Sequence, residues 1–364
     1  MKIAYDFTST VKPELTGIGR YAVEILRAML RQLAPEDRVI LGYRLSRWHR
    51  RKYAPQFTDP RVSVRPLQSP FAFLTYGAPD VFHGLGVNVP LGLPAKRKFV
   101  TVHGFVSLEE VAPEKREAYR RRLAKIRTMV ERAHRGFVVS EFERQRTAEF
   151  VGCPVEKLVV VHHGVDHATY RAGVPAELDE RLLGKAMPRR PYLLALGAIT
   201  ARKNLVRLME AYGSSRVHNE FDLVLAGQAR SESAPILAAV DAYGLRDCVH
   251  VTGFVSAQAL PAWIRRARAL VHPSLYEAFG LPLVEAMACG TPVICSNTSA
   301  MPEVTAGAAR LFDPTDTAAI RYALESICYD DGLHADLRAR GLERAAELTW
   351  DRAAARTLAA YRAE

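Results

Sequence analysis

The sequence predicts an α/β protein made of two Rossmann-like domains, each a doubly wound parallel sheet, facing one another across a cleft. Three observations carry that expectation. Short apolar runs alternate with helix-period segments along the chain, the order that gives crossover connections and parallel sheets. The runs are continuously apolar rather than alternating, which marks strands covered on both faces. The length of 364 residues is too great for one ordinary core and suits two.

In the first half, strands are expected at "KIAYDF", "RVILGYR", "DVFHGL", "KFVTVHG", "RGFVVS" and "KLVVVHHG". Helices lie between them, for instance from Arg20 to Leu33. The stretch "YRAGVPAELDERLLGKAMPRRP", Tyr170 to Pro191, is polar and carries prolines towards both ends, so it reads as a linker. In the second half, strands are expected at "YLLALGA", "FDLVLAG", "CVHVTGF", "ALVHPS" and "TPVICS". The expected organisation is a first domain over 1–170, a linker over 171–190 and a second domain over 191–345. A final Ala/Arg-rich helix over 346–364 is expected to pack back on the first domain.

Composition excludes several classes. No apolar run approaches the roughly 20 residues of a membrane helix. "MKIAYDFTST" reads as a first strand and not as a signal peptide, so a cytoplasmic chain is expected. The five cysteines are scattered without a C-x-x-C pair, which points to reduced thiols and away from zinc. Charge is uneven. Through Tyr170 there are 28 Lys+Arg against 17 Asp+Glu, so the whole net charge of +11 falls there, and the remaining 22 and 22 cancel. "RLSRWHRRK" (Arg44 to Lys52) and "KREAYRRRLAKIRTMVERAHR" (Lys115 to Arg135) supply much of it. Such stretches are either solvated faces or a surface for an anionic partner. No nucleic-acid motif accompanies them, so peripheral contact with an anionic membrane, or an anionic acceptor, ranks ahead of nucleic acid.

The chemistry-bearing residues concentrate in the second half. After the strand "YLLALGA" ends at Gly197, Arg202 and Lys203 fall at or just before a helix start, where free N–H groups already favour an anion. Two cations at that end work against the helix dipole, which suggests a ligand. "SLYEAFGLPLVEAMACGTPVICSN", from Ser274 to Asn297, places Glu277 in a loop and Glu285 in the following helix. Gly280 between them lets backbone N–H groups approach a ligand. Carboxylates suit ribose and sugar hydroxyls because each accepts several hydrogen bonds. In the first half, "LTGIGRY" puts Gly17 and Gly19 between a strand and a helix, and "TVHGF" puts His103 at a strand end. Taken singly, each has a plain alternative: an exposed basic pair, helix-capping acids, a turn glycine, a structural histidine.

Together these segments resemble the family 4 glycosyltransferases, which have the GT-B fold. The matching segments are E-x7-E at Glu277 and Glu285, the run Gly197, Arg202, Lys203, Asn204, and "TGIGRY", "VSEFER", "HHGVD" and "TGFVS". They span almost the whole chain. The resemblance implies a retaining hexosyltransferase of the mannosyltransferase type, using GDP-mannose or, alternatively, UDP-glucose or UDP-GlcNAc. The acceptor would be a glycan or a polyprenyl-linked glycan in surface polysaccharide assembly. It implies catalytic positions at Glu277, Arg202, Lys203 and His103. It places donor contacts at Gly17, Gly19, Gly197, Phe254, Val255, Phe279, Gly280, Leu281 and Glu285. Glu285 would meet the ribose, Glu277 the sugar, the backbone from Phe279 to Leu281 the diphosphate, and backbone near Phe254 and Val255 the base. No metal or other cofactor is expected, since the two cations take the diphosphate charge and the chain has no Asp-x-Asp. The chain departs from many relatives at His103-Gly104, where they have His-Asp. Two other readings remain at this point: a dehydrogenase, for which G-I-G-R-Y-A lacks the third glycine, and a non-catalytic nucleotide-sugar binder.

Overall fold

The computed structural model describes residues 1–12, 14–67, 76–86, 95–106, 108, 111, 113–228 and 234–363. The chain divides into two compact units, Met1–Gly164 with Trp350–Glu364, and Val165–Thr349.

The first unit holds strands β1 (Lys2–Asp6), β2 (Arg38–Arg44), β3 (Val62–Leu67), β4 (Val81–Gly84), β5 (Arg97–Val102), β6 (Arg135–Val138) and β7 (Leu158–Val160). They form one parallel sheet in the order β3-β2-β1-β4-β5-β6-β7. The chain winds from β1 outward to β3, then returns to start β4 on the other side of β1. The strand order therefore switches between β1 and β4, the place where open α/β sheets bind ligands. Helix α1 (Gly17–Leu30) begins three residues before the expected Arg20 and ends earlier than Leu33. Its buried stripe of Tyr21, Ala22, Ile25, Leu26 and Met29 has helical spacing and faces the sheet core. Two further helices, α2 (Arg116–Arg132) and α3 (Glu141–Val151), follow β5 and β6. The Ser140 side chain caps α3 at the backbone N–H of Glu143, and Gly152 ends that helix in the left-handed conformation.

The second unit holds β8 (Tyr192–Leu196), β9 (Asp222–Ala226), β10 (Val249–Gly253), β11 (Ala269–His272), β12 (Val293–Ser296) and β13 (Arg310–Phe312). Their order is β10-β9-β8-β11-β12-β13, again all parallel, with the switch between β8 and β11. Both sheets are thus doubly wound.

Three features correct the sequence expectation. Strands β3 and β13 were not anticipated. β3 is an edge strand whose middle residues are exposed and which contains Pro66, so it has no continuous apolar run. β13 is three residues long and starts on Arg310. The stretch 171–190, expected as a linker, contains helix α4 (Ala176–Leu183) and lies inside the second unit. Pro175 initiates that helix instead of breaking the chain, since a proline costs no hydrogen bond there. The buried Asp179 holds α4 to helix α7 (Leu260–Arg266) through both oxygens, 2.8 and 2.6 Å from Arg265. The division falls instead at Gly164 and Thr349.

The helix α12 (Trp350–Arg362) belongs to the first unit and packs on α1. Its Tyr361 is fully buried and hydrogen-bonds His83 Nδ1, whose Nε2 lies 2.7 Å from Thr101 Oγ1. Burial pulls the His83 imidazole down to about 3, so it is neutral in this core. The five cysteines are free thiols, four of them buried.

Candidate active site

The site is built where the second sheet switches direction. Strand β8 is buried along its length and is followed by Gly197, which has φ +122. Only glycine fits: a Cβ there would sit 2.9 Å from Lys203 Cε. Arg202 and Lys203 lie on a single 3-10 turn, Ala201–Lys203. Asn204, left-handed at φ +55, then leads into helix α5 (Leu205–Gly213), with its side-chain amide donating to Pro314 O at 2.7 Å. The two cations therefore precede the helix by one turn and do not form its first residues.

Strand β11 ends at His272, and the loop after it is laced to the 3-10 turn. Leu275 N donates to Arg202 O at 2.9 Å, and Arg202 Nη1 donates to Tyr276 O. Glu277 N donates to Ser299 Oγ at 3.0 Å, and Ser299 itself is left-handed at φ +54. The result is a fixed Glu277 whose Oε1 receives three groups. Arg202 Nη1 and Lys203 Nζ each lie 2.8 Å away, and His272 Nε2 lies 3.2 Å away.

The electrostatics follow from burial and charge. Burial alone would raise the Glu277 carboxyl, but Lys203, His272 and Arg202 together hold it well below the usual carboxylate range. Burial lowers Lys203 from its ordinary value against the pull of Glu277. Burial, followed by the Lys203 cation, brings His272 down to about 4, so it faces the carboxylate as a neutral donor. Two cations against one carboxylate leave the cluster one positive charge, in a setting where charge interactions are stronger than in water. Ser274 Oγ lies 3.2 Å from the same imidazole nitrogen.

Helix α8 (Leu281–Ala288) starts directly after this loop. Gly280 precedes it at φ +97, where a Cβ would come 2.9 Å from Leu283 Cδ1. Phe279 is buried; in the first turn of α8 Pro282 has no N–H and Leu283 N donates to Gly280 O at 2.9 Å, so Leu281 is the residue of that turn whose N–H lies at the helix start. Glu285 lies one turn further on and is 4% exposed.

The structure therefore brings Gly197, Arg202, Lys203 and Glu277 into one cluster, with Phe279, Gly280, Leu281 and Glu285 on the element that continues from it. Phe254, 53% exposed, and the half-buried Val255 follow the edge strand β10, two strands from β8. Gly17, Gly19 and His103 belong to the first unit. Gly19 is tightly packed, since a Cβ there would lie 3.0 Å from Ser9 O, whereas Gly17 faces open space. His103 hydrogen-bonds Leu85 O at 2.9 Å, stacks edge-on against Tyr21, and is brought down to about 4 by burial. Gly104 after it has φ +91, a conformation in which the aspartate of many relatives would be strained. Sequence reasoning missed His272 and Ser299. The strand-end histidine of "ALVHPS" was the available signal for the first; nothing local marks the second. Among the described residues, no group of three or more His, Cys, Asp or Glu is placed to hold a metal ion.

The family model "Glycosyl transferases group 1" matches residues 184–344, and "Glycosyltransferase Family 4" matches residues 15–169. The chain is similar to the O-antigen chain mannosyltransferase B of Escherichia coli, 27% identical over the full length of both. It is also similar to the serotype-specific mannosyltransferase WbdA of Escherichia coli, 30% identical over 65% of this chain but only 29% of that protein. Among solved structures, sucrose-phosphate synthase from Thermosynechococcus elongatus matches with a TM-score of 0.79 at 21% identity, covering 99% of this chain and 98% of that one. WaaG, a glycosyltransferase involved in lipopolysaccharide biosynthesis, matches with a TM-score of 0.72 at 15% identity over the whole of both chains.

Proposed function

The chain belongs to the glycosyltransferases of family 4, with the GT-B fold and a group 1 second unit, and from that premise we propose that it moves mannose from GDP-mannose to a glycan or polyprenyl-linked glycan, with retention at the anomeric carbon. Family membership sets the dehydrogenase reading aside. Mannose is supported by the relatives named as mannosyltransferases. The observation that carries the reading is the cluster of Arg202, Lys203, His272 and Glu277 beside Gly197, at the switch point of the second sheet.

In this mechanism Arg202 and Lys203 take up negative charge that builds on the leaving diphosphate as the glycosidic bond breaks. Glu277 orients both cations before the donor arrives, and its carboxylate then serves the sugar. The backbone of Gly280 and Leu281 meets the diphosphate, Glu285 the ribose, and backbone near Phe254 and Val255 the base. A donor screen tests the assignment. GDP-mannose should raise Tm more than UDP-glucose or UDP-GlcNAc and should give product with a glycan acceptor. A larger shift and turnover with either UDP sugar would reassign the donor.

Since the cations supply the charge, turnover should need no metal. Activity is expected to survive excess EDTA; loss with EDTA and recovery with manganese would overturn this.

The first unit's basic surface is the proposed membrane contact, at the cytoplasmic leaflet. The segment Leu45–Tyr53 exposes Arg47, Arg50, Arg51 and Lys52, flanked by Leu45 and Tyr53, each 46% exposed. Helix α2 buries only Ile126, Met129 and Val130. No helix among the described residues is long and apolar enough to cross a membrane, so the contact is peripheral. Co-sedimentation with anionic vesicles should weaken as salt rises, because exposed charges are screened beyond about 10 Å at 0.1 M. Equal binding to neutral vesicles would contradict it.

A further inference from the structure

We infer that His272 and Ser299 are positioning residues that hold Glu277 independently of its two cations, His272 from the carboxylate and Ser299 from the backbone. The inference rests on the proposed transferase reading and deepens it, by naming what keeps the acid beside the sugar once Arg202 and Lys203 turn to the diphosphate.

The two cations face a competition when a donor binds. All three groups on the Glu277 carboxylate converge on Oε1: Arg202 Nη1 and Lys203 Nζ at 2.8 Å and His272 Nε2 at 3.2 Å. Among the described residues Oε2 accepts no hydrogen bond, so that oxygen is the one left for a sugar hydroxyl. A diphosphate carries more negative charge than one carboxylate and draws both cations to itself. Arg202 is free to follow, since its side chain is 36% exposed. An acid held by these cations alone would lose its orientation at the moment it is needed.

His272 cannot follow. It ends β11, which lies between β8 and β12 inside the sheet, and its side chain is 1% exposed. Burial and the Lys203 cation bring it down to about 4, so it is neutral and feels no ion-pair pull from a diphosphate. Facing a carboxylate, Nε2 is the nitrogen that carries the hydrogen. Its grip on Oε1 therefore survives the departure of both cations.

The loop is fixed from a second side. The segment that follows β12 makes three hydrogen bonds to the residues around Glu277. Thr298 Oγ1 donates to Leu275 O at 3.2 Å, Glu277 N donates to Ser299 Oγ at 3.0 Å, and Ala300 N donates to Glu277 O at 3.3 Å. Ser299 does this from the left-handed region, at φ +54, where a residue with a Cβ is disfavoured. Glycine would adopt that backbone without strain but has no hydroxyl to offer Glu277. Strain kept at such a point, beside a candidate active site, marks a functional constraint.

The test pairs single-turnover transfer from GDP-mannose with GDP calorimetry on the full chain, with Tm recorded for each variant. His272→Phe keeps a ring and loses the N–H. It should lower kcat by about tenfold or more and leave GDP affinity within about twofold. His272→Gln restores a neutral N–H donor and should recover most of that rate. Ser299→Gly removes the strain and the hydroxyl together, and should lower kcat by about threefold or more with no loss of Tm. An unchanged kcat in His272→Phe, or a glutamine variant no better than phenylalanine, would overturn the role of His272. Loss of GDP affinity in step with kcat would also overturn it, by making His272 part of a nucleotide clamp. Ser299→Gly at full rate would overturn the role of Ser299. A crystal structure of the unsubstituted chain with GDP needs no turnover. Glu277 Oε1 should remain within hydrogen-bond distance of His272 Nε2 while Arg202 and Lys203 meet the diphosphate, and a Glu277 that swings away with the cations would overturn the inference. A failed donor screen would count against the transferase reading and leave this structure to decide the positioning.

Discussion

Arg202→Ala is expected to lower kcat by about 100-fold or more with little change in fold, the scale seen when a donor to developing charge is lost. The structure makes Arg202 the cleaner of the two cations to remove. Its side chain is 36% exposed, and Glu277 keeps Lys203 and His272 as partners when it goes. Lys203 is 8% exposed, and its stem fills the space beside Gly197 that no Cβ can share. Lys203→Ala would therefore leave a gap and a less compensated buried carboxylate, a defect of about 3–5 kcal/mol when a buried partner is lost. Its loss of activity would mix folding with chemistry. Single-turnover rates at saturating donor, with Tm recorded for each variant, separate the two. An Arg202→Ala enzyme with unchanged kcat and only a raised KM would make the arginine a binder of the ground state.

Glu285→Ala and Glu277→Gln are expected to fail in different ways. Glu285 lies on α8, beyond the ion cluster. Its removal takes away a contact to the nucleotide and should weaken bare GDP by about 1.5–3 kcal/mol, the range for a hydrogen bond to a charged group. Glu277→Gln keeps shape and hydrogen bonding but takes the negative charge from between Arg202 and Lys203. Bare nucleotide should then bind about as well as before, or tighter, because both cations are released to the diphosphate. Transfer should fall sharply, since the sugar loses the carboxylate beside its developing positive charge and the cations lose their fixed orientation. Calorimetry with the nucleotide, paired with transfer rates, distinguishes the roles. Equal loss of nucleotide affinity in both variants would make the E-x7-E pair a single clamp.

Much of this was legible along the chain because the signals were local. Continuous apolar runs such as "YLLALGA" and "ALVHPS" became β8 and β11 because a strand buried on both faces writes its environment into consecutive residues. β3 did not, since its middle residues look outward and only Leu67 at its end is buried. The same local logic misread 171–190: Asp179 makes the segment look polar, while its partner Arg265 lies 86 residues away. In the site, Arg202, Lys203, Glu277 and Gly197 were nominated separately, each on its own residue type and spacing. That Glu277 would bridge the two cations was not visible, because the bridge depends on β8 and β11 being neighbours in the sheet. His272 and Ser299 entered through the same adjacency.

The helix α12 sets the order in which this protein can finish folding during synthesis. Trp350, Leu358 and Tyr361 complete the core around α1, yet they are translated after the entire stretch Val165–Thr349. At about 5–20 residues per second the ribosome needs roughly 10 to 40 s for that stretch. Throughout that time the His83 side of the first unit's core stays uncovered, and at its end the second unit has all its residues while the first still lacks its last helix. The unit begun first is thus the one completed last, and the nascent chain passes through a stage in which the later unit is folded and the earlier one waits for its final helix.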